Sequence, residues 1–343
     1  MEAHTDVGPP RDGPSGSGPD RNLAMELVRT TEYAALACAR WIGRGDKEGA
    51  DGAAVDAMRM LLDTVAMDGV VVIGEGEKDE APMLYNGEHI GDGSLPQVDI
   101  AVDPLEGTEL CAKGLPNAIA TIALSERGTM FDPGPCFYMM KMATSRDMAH
   151  LLDLDRPLGE TLRLMAKEKG VPVGDLVVIM LDRPRHDEAM REIRELGARI
   201  RLIPHGDVSA ALVAVTEDSP VDLLYGIGGT PEGVLAAAAI KCTGGQILGR
   251  LHPRSDEERD ATLEAGYDLD EVLDRDRLVS GDDVFFAATG VTDGEMLDGV
   301  HYIRPQGATT ESISMRARSG TVRRITARHD RAKLREILGD RLG

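Results

Sequence analysis

The chain has 343 residues, more than one compact core usually organises, so two packed lobes are expected. Its formal net charge of −21 opposes nonspecific binding to nucleic acid and to anionic membranes, and any phosphate site must be a local exception. Hydrophobic residues make up 42% of the chain, yet no apolar run approaches the roughly 20 residues that span a bilayer.

The N-terminal segment, residues 1–20, is rich in Gly, Pro, Ser and Asp and cannot bury apolar surface, so we expect a disordered tail. It lacks the basic start and apolar stretch of a secretion signal. Four scattered cysteines suit a reducing compartment and argue against a thiolate zinc site. We therefore expect a cytoplasmic protein. The cysteines are Cys38, Cys111, Cys136 and Cys242.

Two helices are predicted after the tail. The first starts near Asp20 and runs to Ile42, before a Gly-Arg-Gly-Asp break at 43–46. The second follows Asp51, which stands where an N-cap would stand. Its apolar residues recur at the spacing of one helical face. They are Val55, Met58, Leu62 and Val65.

The rest of the chain reads as two α/β lobes with returning strands. Short apolar runs at 69–73, 98–102, 119–124 and 137–143 predict the sheet of a first lobe, residues 21–160. A second lobe, 161–281, alternates helix and strand, which predicts a largely parallel, helix-covered sheet. Its helices are expected at 158–169, 187–196, 208–216 and 232–242, and its strands at 176–181, 199–203 and 221–225. Runs at 284–289, 299–304, 309–316 and 321–326 are expected to rejoin the first lobe within 282–328.

The most informative motif is Asp-Pro-Leu-Glu-Gly-Thr at 103–108, directly after an apolar strand. A β-turn here would hold Asp103 and Glu106 within about 7 Å of each other. Two convergent carboxylates suit hard divalent cations such as Mg²⁺ or Mn²⁺. Gly107 and Thr108 then open a short helical stretch whose backbone N–H groups favour phosphate. Taken alone, the motif is equally typical of a plain surface turn.

Two further carboxylates follow predicted strands. Glu75 lies between glycines that allow close approach of a ligand, whereas its neighbours Glu77, Asp79 and Glu80 are more typical of a solvated acidic loop. Glu232 follows Gly226-Ile-Gly-Gly-Thr-Pro, which only loosely matches a dinucleotide loop because Pro231 replaces the third glycine. A metal ligand fits Glu232 better than a pyrophosphate neighbour would.

The basic counterpart is Arg183-Pro-Arg185-His, placed after a predicted strand. Arginine forks match phosphate oxygens bidentately, so a phosphate clamp is favoured for Arg185, and for Arg183 it competes with ordinary helix-start charges. Lys47 is either a surface lysine or a charge that neutralises nearby metal ligands.

At this point the sequence resembles the bacterial class II fructose-1,6-bisphosphatases, within the broader lithium-sensitive sugar and inositol phosphatases. The resemblance covers about residues 21–326, and its motifs occur in the right order. They lie at residues 45–55, 73–77, 79–85, 102–108, 183–187 and 224–233.

The resemblance implies a two-lobed α/β fold, a layered α/β/α/β/α sandwich with the active site between the lobes. It implies hydrolysis of fructose 1,6-bisphosphate with two or more Mn²⁺ or Mg²⁺ ions, and a homodimer or homotetramer. Matched residue by residue, the implied metal ligands are Asp51, Glu75, Asp103, Glu106 and Glu232. The implied catalytic residues are Thr108, which places the attacking water, together with Asp51 and Glu106. The implied substrate contacts are Lys47, Glu106, Gly107, Thr108, Tyr138, Arg183, Pro184, Arg185, His205, Gly206, Asp207 and Gly229.

Two positions depart from the family pattern. His205 stands where Asp usually precedes Gly-Asp, and Arg183 stands where Lys is frequent. A neutral His205 supplies only one acceptor nitrogen to a sugar hydroxyl, so sugar selectivity is open. The alternatives are a sedoheptulose-1,7-bisphosphatase, an inositol-monophosphatase-like enzyme, a nucleotide-linked oxidoreductase and a catalytically weak sugar-phosphate sensor.

Overall fold

The computed structural model describes residues 22–76, 83–216, 219–303 and 307–338. The predicted disordered tail at 1–20 and the predicted solvated acidic residues Glu77, Asp79 and Glu80 lie outside these ranges. Within them, no helix is both long and apolar enough to cross a membrane.

The described helices and strands follow each other in mixed order along the chain. The helices are α1 (Ala24–Cys38), α2 (Lys47–Leu62), α3 (Thr108–Lys113), α4 (Leu158–Lys169), α5 (Asp187–Glu195), α6 (Asp207–Val215), α7 (Thr230–Thr243), α8 (Asp256–Glu264), α9 (Arg275–Leu278) and α10 (Arg331–Leu338). The strands are β1 (Asp68–Ile73), β2 (His89–Ile90), β3 (Gln97–Glu106), β4 (Ile119–Glu126), β5 (Tyr138–Thr144), β6 (Val177–Leu181), β7 (Arg199–Ile203), β8 (Leu223–Gly229), β9 (Gln246–Leu251), β10 (Leu273–Asp274), β11 (Phe285–Gly290), β12 (His301–Ile303), β13 (Gly307–Arg316) and β14 (Thr321–Asp330).

The two N-terminal helices are confirmed, with one correction. Within the described residues the first helix is α1, extended by a 3-10 turn to Trp41. The N-cap of α2 is Asp46, not Asp51, because the Asp46 side chain accepts a hydrogen bond from the Gly49 N–H at 2.8 Å. Asp51 lies inside the helix instead. Its carboxylate is therefore free of capping and available to the cleft described below.

The first sheet has the strand order β12-β13-β11-β4-β3-β1-β2, and β14 pairs with the other edge of β13. Strands β11 to β14 thus return to the sheet begun by β1, as predicted for residues 282–328. Strands β1 and β3 are parallel, and β3 and β4 are antiparallel. This arrangement brings the ends of β1 and β3 to the same edge of the sheet.

The second sheet has the order β10-β9-β5-β8-β6-β7, and it corrects two expectations. Strand β5, expected in the first sheet, lies at the centre of the second. Only the β6–β7 and β6–β8 pairs are parallel, because β5 and the unpredicted β9 and β10 pair antiparallel. The expected largely parallel sheet is therefore wrong. The domain boundaries at 160 and 281 stay a prediction.

The elements stack in five layers, α/β/α/β/α, as predicted. Helix α1 packs on β11 and β13 of the first sheet, α6 and α7 lie between the two sheets, and α4 and α5 cover the outer face of the second. Helix α7 is buried on all sides, and Val234 to Ile240 are at most 2% exposed. Its run of alanines lets the two sheets approach it closely. This central layer also carries α7's first turn to the gap between the sheets.

Candidate active site

A cleft of about 690 Å³ opens between the two sheets and is lined by residues from both. All but one of the predicted site residues line it. They are Lys47, Asp51, Glu75, Asp103, Glu106, Gly107, Thr108, Tyr138, Arg183, Arg185, His205, Gly206, Asp207, Gly229 and Glu232. The exception, Pro184, begins a 3-10 turn beside the arginines and is not in the lining. The structure brings these residues together, and their individual roles stay predictions.

Asp103 and Glu106 converge by a different route from the predicted β-turn. Strand β3 continues through Pro104 to Glu106 with an extra residue, since Asp103 pairs with Thr121 and Glu106 with Ile119. In a regular strand, residues three apart point to opposite faces. The bulge cancels that alternation, and the two carboxyl groups are hydrogen-bonded to each other.

Asp51 and Thr108 meet across the cleft floor. The Thr108 hydroxyl donates to the Leu105 carbonyl at 3.1 Å, and the Thr108 side chain is close enough to Asp51 to offset part of the burial that raises the pKa of Asp51. Thr108 is the first residue of α3, which follows Gly107 in the left-handed conformation at φ 82°. Only glycine adopts that conformation at little cost, so the turn fixes where the hydroxyl points.

Glu75 and Glu232 complete the acidic wall. The Glu75 N–H donates to the Leu84 carbonyl at 2.9 Å, which holds the end of β1 in place. Glu232 lies in the first turn of α7, and its Oε2 atom is buried without a hydrogen-bond partner among the described residues. A buried carboxylate oxygen with no donor is costly unless something positive binds it.

Three carboxyl groups of the acidic wall, those of Glu75, Asp103 and Glu106, are buried next to other carboxyl groups. Burial, and then the charge of Asp51, raise the pKa of Glu75 to about 8. Burial, and then the charges of Glu75, Glu232 and Asp51, raise the pKa of Asp103 to about 8, although its bond with Glu106 opposes them. Burial, followed by the charge of Asp103, also raises the pKa of Glu106 well above its usual range. Divalent cations would remove this repulsion.

The residues present fit hard cations in chemistry, because all five predicted ligands are carboxylates. As the side chains stand, no three acidic, histidine or cysteine groups within the described ranges are close enough together to enclose an ion. Asp103 and Glu106 bond to each other instead. Binding of an ion there would require these two groups to exchange their mutual bond for the cation.

The opposite end of the cleft is basic and aromatic. The Arg185 guanidinium lies 5.3 Å from the centroid of the Tyr138 ring, and the Arg254 guanidinium lies 4.2 Å from it. The side chain of Arg185 also donates to the Ile227 carbonyl at 2.7 and 3.1 Å. Arg183 donates to the Pro204 carbonyl at 2.7 Å. These contacts orient the arginines at the rim, as a phosphate clamp requires.

His205 also lines the cleft. Burial, together with the charges of Arg183, Lys47 and Lys113, lowers its pKa. Its imidazole is therefore neutral near pH 7 and offers one acceptor nitrogen. Lys47 lines the cleft and pairs with Glu109, and its role beside the metal ligands stays a prediction.

Sequence reasoning missed three residues of this region. Arg254 stacks on Tyr138 although no motif contains it. His186 is 3% exposed and bridges β6 to β8, through the Leu181 carbonyl and the Ile227 N–H, each at 2.8 Å. Lys141 is a buried lysine in the middle of β5. The only local signal for Lys141 was a charge inside an apolar run.

Residues 21–329 match the family described as bacterial fructose-1,6-bisphosphatase, glpX-encoded. The chain is 45% identical over 322 residues to fructose-1,6-bisphosphatase 1 class 2 of Escherichia coli K12, covering 90% of this chain and 95% of that protein. The same values hold for the fructose-1,6-bisphosphatase class 2 proteins of Escherichia coli O6:H1 and Shigella flexneri.

Proposed function

Because the chain belongs to the bacterial, glpX-encoded fructose-1,6-bisphosphatase family, we propose that it hydrolyses fructose 1,6-bisphosphate to fructose 6-phosphate and phosphate. It is a phosphoric monoester hydrolase, and the reaction is a step of gluconeogenesis. The observation that carries the proposal is the single cleft in which five carboxylates face an arginine cluster. An oxidoreductase reading of the Gly226–Gly233 loop has no support, because Glu232 of that loop belongs to the acidic wall.

The five carboxylates would hold two or more divalent ions, Mn²⁺ or Mg²⁺. They are Asp51, Glu75, Asp103, Glu106 and Glu232. Such ions would supply a Lewis acid to the phosphoryl oxygens and lower the pKa of the attacking water. The unpartnered Oε2 of Glu232 and the raised pKa values of the buried carboxyl groups support this assignment.

Thr108 would orient the water for in-line attack on the 1-phosphate. Its hydroxyl donates to the Leu105 carbonyl at 3.1 Å, so its oxygen can still accept a hydrogen bond from the water. Asp51 interacts with the Thr108 side chain and also belongs to the acidic wall.

The spectator phosphate would bind at the arginine end. Arg185 is held over Tyr138 by its bonds to the Ile227 carbonyl, and Arg183 stands beside it at the rim. An arginine already oriented in this way loses less entropy on binding a phosphate than a free one would. The sugar would then span the region of His205 and Asp207 between the two phosphates.

The sugar itself is the part of the proposal that His205 affects most. A neutral imidazole accepts one hydrogen bond where a carboxylate accepts several, so it distinguishes sugars through fewer contacts. Sedoheptulose 1,7-bisphosphate and an inositol monophosphate are therefore the competing substrates. We also propose that the protein acts as a homodimer or homotetramer, which light scattering on the purified chain measures directly.

The experiment is phosphate release from fructose 1,6-bisphosphate with Mn²⁺ or Mg²⁺. Sedoheptulose 1,7-bisphosphate, fructose 6-phosphate and inositol 1-phosphate are assayed beside it. Metal-dependent release from the fructose bisphosphate in clear preference to the others is expected. Preference for another substrate would show that the proposed substrate is wrong, while the proposed metal-dependent hydrolysis would still stand.

Two variants make the assay specific to the site. Glu106→Gln is expected to lose turnover because it removes a charge from the acidic wall. The control is Glu160→Gln, at an exposed position of α4, and it should behave as the parent. Release that persists in Glu106→Gln, or release that needs no divalent metal, would refute the assignment.

A further inference from the structure

A buried lysine lies behind the wall of the cleft and bonds to two of the residues that line it, Asp207 and Gly229. Lys141 is 2% exposed, and its Nζ donates to Oδ2 of Asp207 and, at 2.8 Å, to the Gly229 carbonyl. A lysine buried to this degree is rare unless it is paired, because the charge loses its hydration. Here the pairing partner is a predicted substrate contact.

The stem of Lys141 is held by glycines. A Cβ on Gly228 would lie 3.1 Å from its Cε atom, and a Cβ on Gly233 would lie 3.6 Å from its Cδ atom. Its two neighbours across the sheet, in β8 and β9, are also glycines, Gly226 and Gly249. A side chain at Gly228 would crowd the stem, whereas a Cβ on Gly226 would meet His186 and one on Gly249 would meet Met139. The glycine at position 228 therefore leaves room for the stem to bring its ammonium group to one point beside the cleft, at Asp207 and the Gly229 carbonyl.

That point lies between two carboxylates with different predicted tasks. Lys141 bonds to Asp207, which follows Gly206 at the start of α6. It is also close enough to Glu232 to act on that group, since burial raises the pKa of Glu232, Lys141 lowers it, and Asp207 raises it. Lys141 does not bond to Glu232, whose Oε2 has no hydrogen-bond partner in the described part of the chain. Lys141 therefore forms an ion pair with Asp207 and no hydrogen bond with Glu232.

We propose that Lys141 is a positioning residue for the phosphatase reaction. Its ion pair keeps the Asp207 carboxylate available to the sugar and prevents that carboxylate from binding the divalent ions. The inference rests on the proposed function. Its chemistry is simple, because a carboxylate oxygen that accepts from an ammonium group is a poor ligand for a second cation. The lysine contacts Oδ2 of Asp207, which leaves Oδ1 to accept a hydrogen bond from a sugar hydroxyl. Lys141 thus divides the metal half of the cleft from the sugar half.

The test uses Lys141→Met, which keeps the length of the stem and removes the charge. We expect KM for fructose 1,6-bisphosphate to rise roughly 10- to 100-fold, since Asp207 is no longer held in place. We also expect the Mn²⁺ concentration for half-maximal thermal stabilisation to fall about tenfold, because a positive charge has left and a carboxylate is freed. General damage to the site would instead weaken Mn²⁺ binding, so an unchanged or raised Mn²⁺ requirement overturns the proposal.

Asp207→Asn gives the complementary measurement and keeps the test decisive if Lys141→Met does not fold. This variant leaves the Lys141 charge without its partner near Glu232, so the half-saturating Mn²⁺ concentration should rise. A lower or unchanged value contradicts the inference. In the double variant, KM should match that of Asp207→Asn, because both changes break the same ion pair between Lys141 and Asp207. Effects that multiply would show that the two residues act independently, which also overturns it.

Lys169→Met is the matched control. Lys169 donates to Asp222 at 2.6 Å in the same half of the molecule, and neither residue lines the cleft. This variant should lose some thermal stability and keep the parent KM and Mn²⁺ response. A parent protein that hydrolyses no phosphate ester would refute the proposed function, whereas the Mn²⁺ titrations would still test Lys141. An active parent whose Lys141→Met variant behaves as Lys169→Met refutes the Lys141 role alone.

Discussion

Gly229→Ala tests the position of Glu232 through a steric clash. The backbone of Gly229 has φ −63° and ψ 140°, a conformation that alanine adopts without strain. An added Cβ would lie 1.7 Å from the Glu232 Oε2 atom. To restore even a 3.0 Å separation, the carboxylate must retreat by about 1.3 Å. The atom that moves is the end of a flexible side chain, so the chain should fold normally.

The size of the effect follows from that displacement. A shift of about 1 Å in a group that positions the reaction costs up to roughly 100-fold in rate, which corresponds to about 3 kcal/mol in the activation barrier. We therefore expect kcat/KM for metal-dependent phosphate release to fall about 100-fold. The stabilisation by Mn²⁺ should weaken as well, while the melting temperature in EDTA stays close to that of the parent.

The control for this variant is Gly52→Ala, in the same helix as the cleft residue Asp51. No atom lies within 4 Å of the added Cβ, and a glycine inside a helix costs roughly 0.5–1 kcal/mol relative to alanine. Gly52→Ala should therefore be slightly more stable than the parent with the same kinetics. If Gly229→Ala retained the parent kcat/KM and Mn²⁺ response, Glu232 would not be a metal ligand in the assigned position.

Two further predictions concern the basic end of the cleft and a buried acid outside it. Arg185→Ala should raise KM roughly 10- to 100-fold and lower kcat less, because Arg185 is assigned to the spectator phosphate; unchanged kinetic constants would remove it from the clamp. Burial raises the pKa of Glu32 to about 7, against the hydrogen bond from Thr310. The folded protein then holds a proton that the unfolded chain releases near pH 4.5, so the parent should lose up to about 3 kcal/mol relative to Glu32→Gln as pH rises from 4.5 through 7. Urea unfolding across that range measures the difference, and a parallel course for parent and Glu32→Gln would contradict the burial argument.

The acidic and basic residues of the site were predictable because most of them follow strands. Glu75 follows the end of β1 after one glycine, Glu232 lies in the helical turn that follows β8, and the arginine motif follows β6. Such strand ends gather at the edges of sheets, so chain order alone suggests that their side chains meet. The layered fold was predictable from the family motifs, since the periodicity alone did not separate the two sheets.

The errors have a common physical origin in tertiary structure. Asp46 and Asp51 both look like N-caps locally, and only the packing of α2 decides between them. Strand β5 has the apolar pattern of either sheet, so its partners cannot be read from its own residues. Lys141 is the extreme case. Its partner Asp207 lies 66 residues away in the sequence, and no local sequence pattern around either residue predicts that they form an ion pair.

The extra residue in β3 also limits how such a site can arise or be transferred. If β3 and β4 paired without this bulge, residues 103 and 106 would point to opposite faces of the sheet, and no choice of side chains would bring both carboxyl groups to one face. A plain strand therefore acquires this pair by a change in chain length, and point substitutions alone do not suffice. Grafting Asp103 and Glu106 onto another β-sheet protein therefore requires grafting the bulge as well, because only the bulge places two residues of this spacing on the same face.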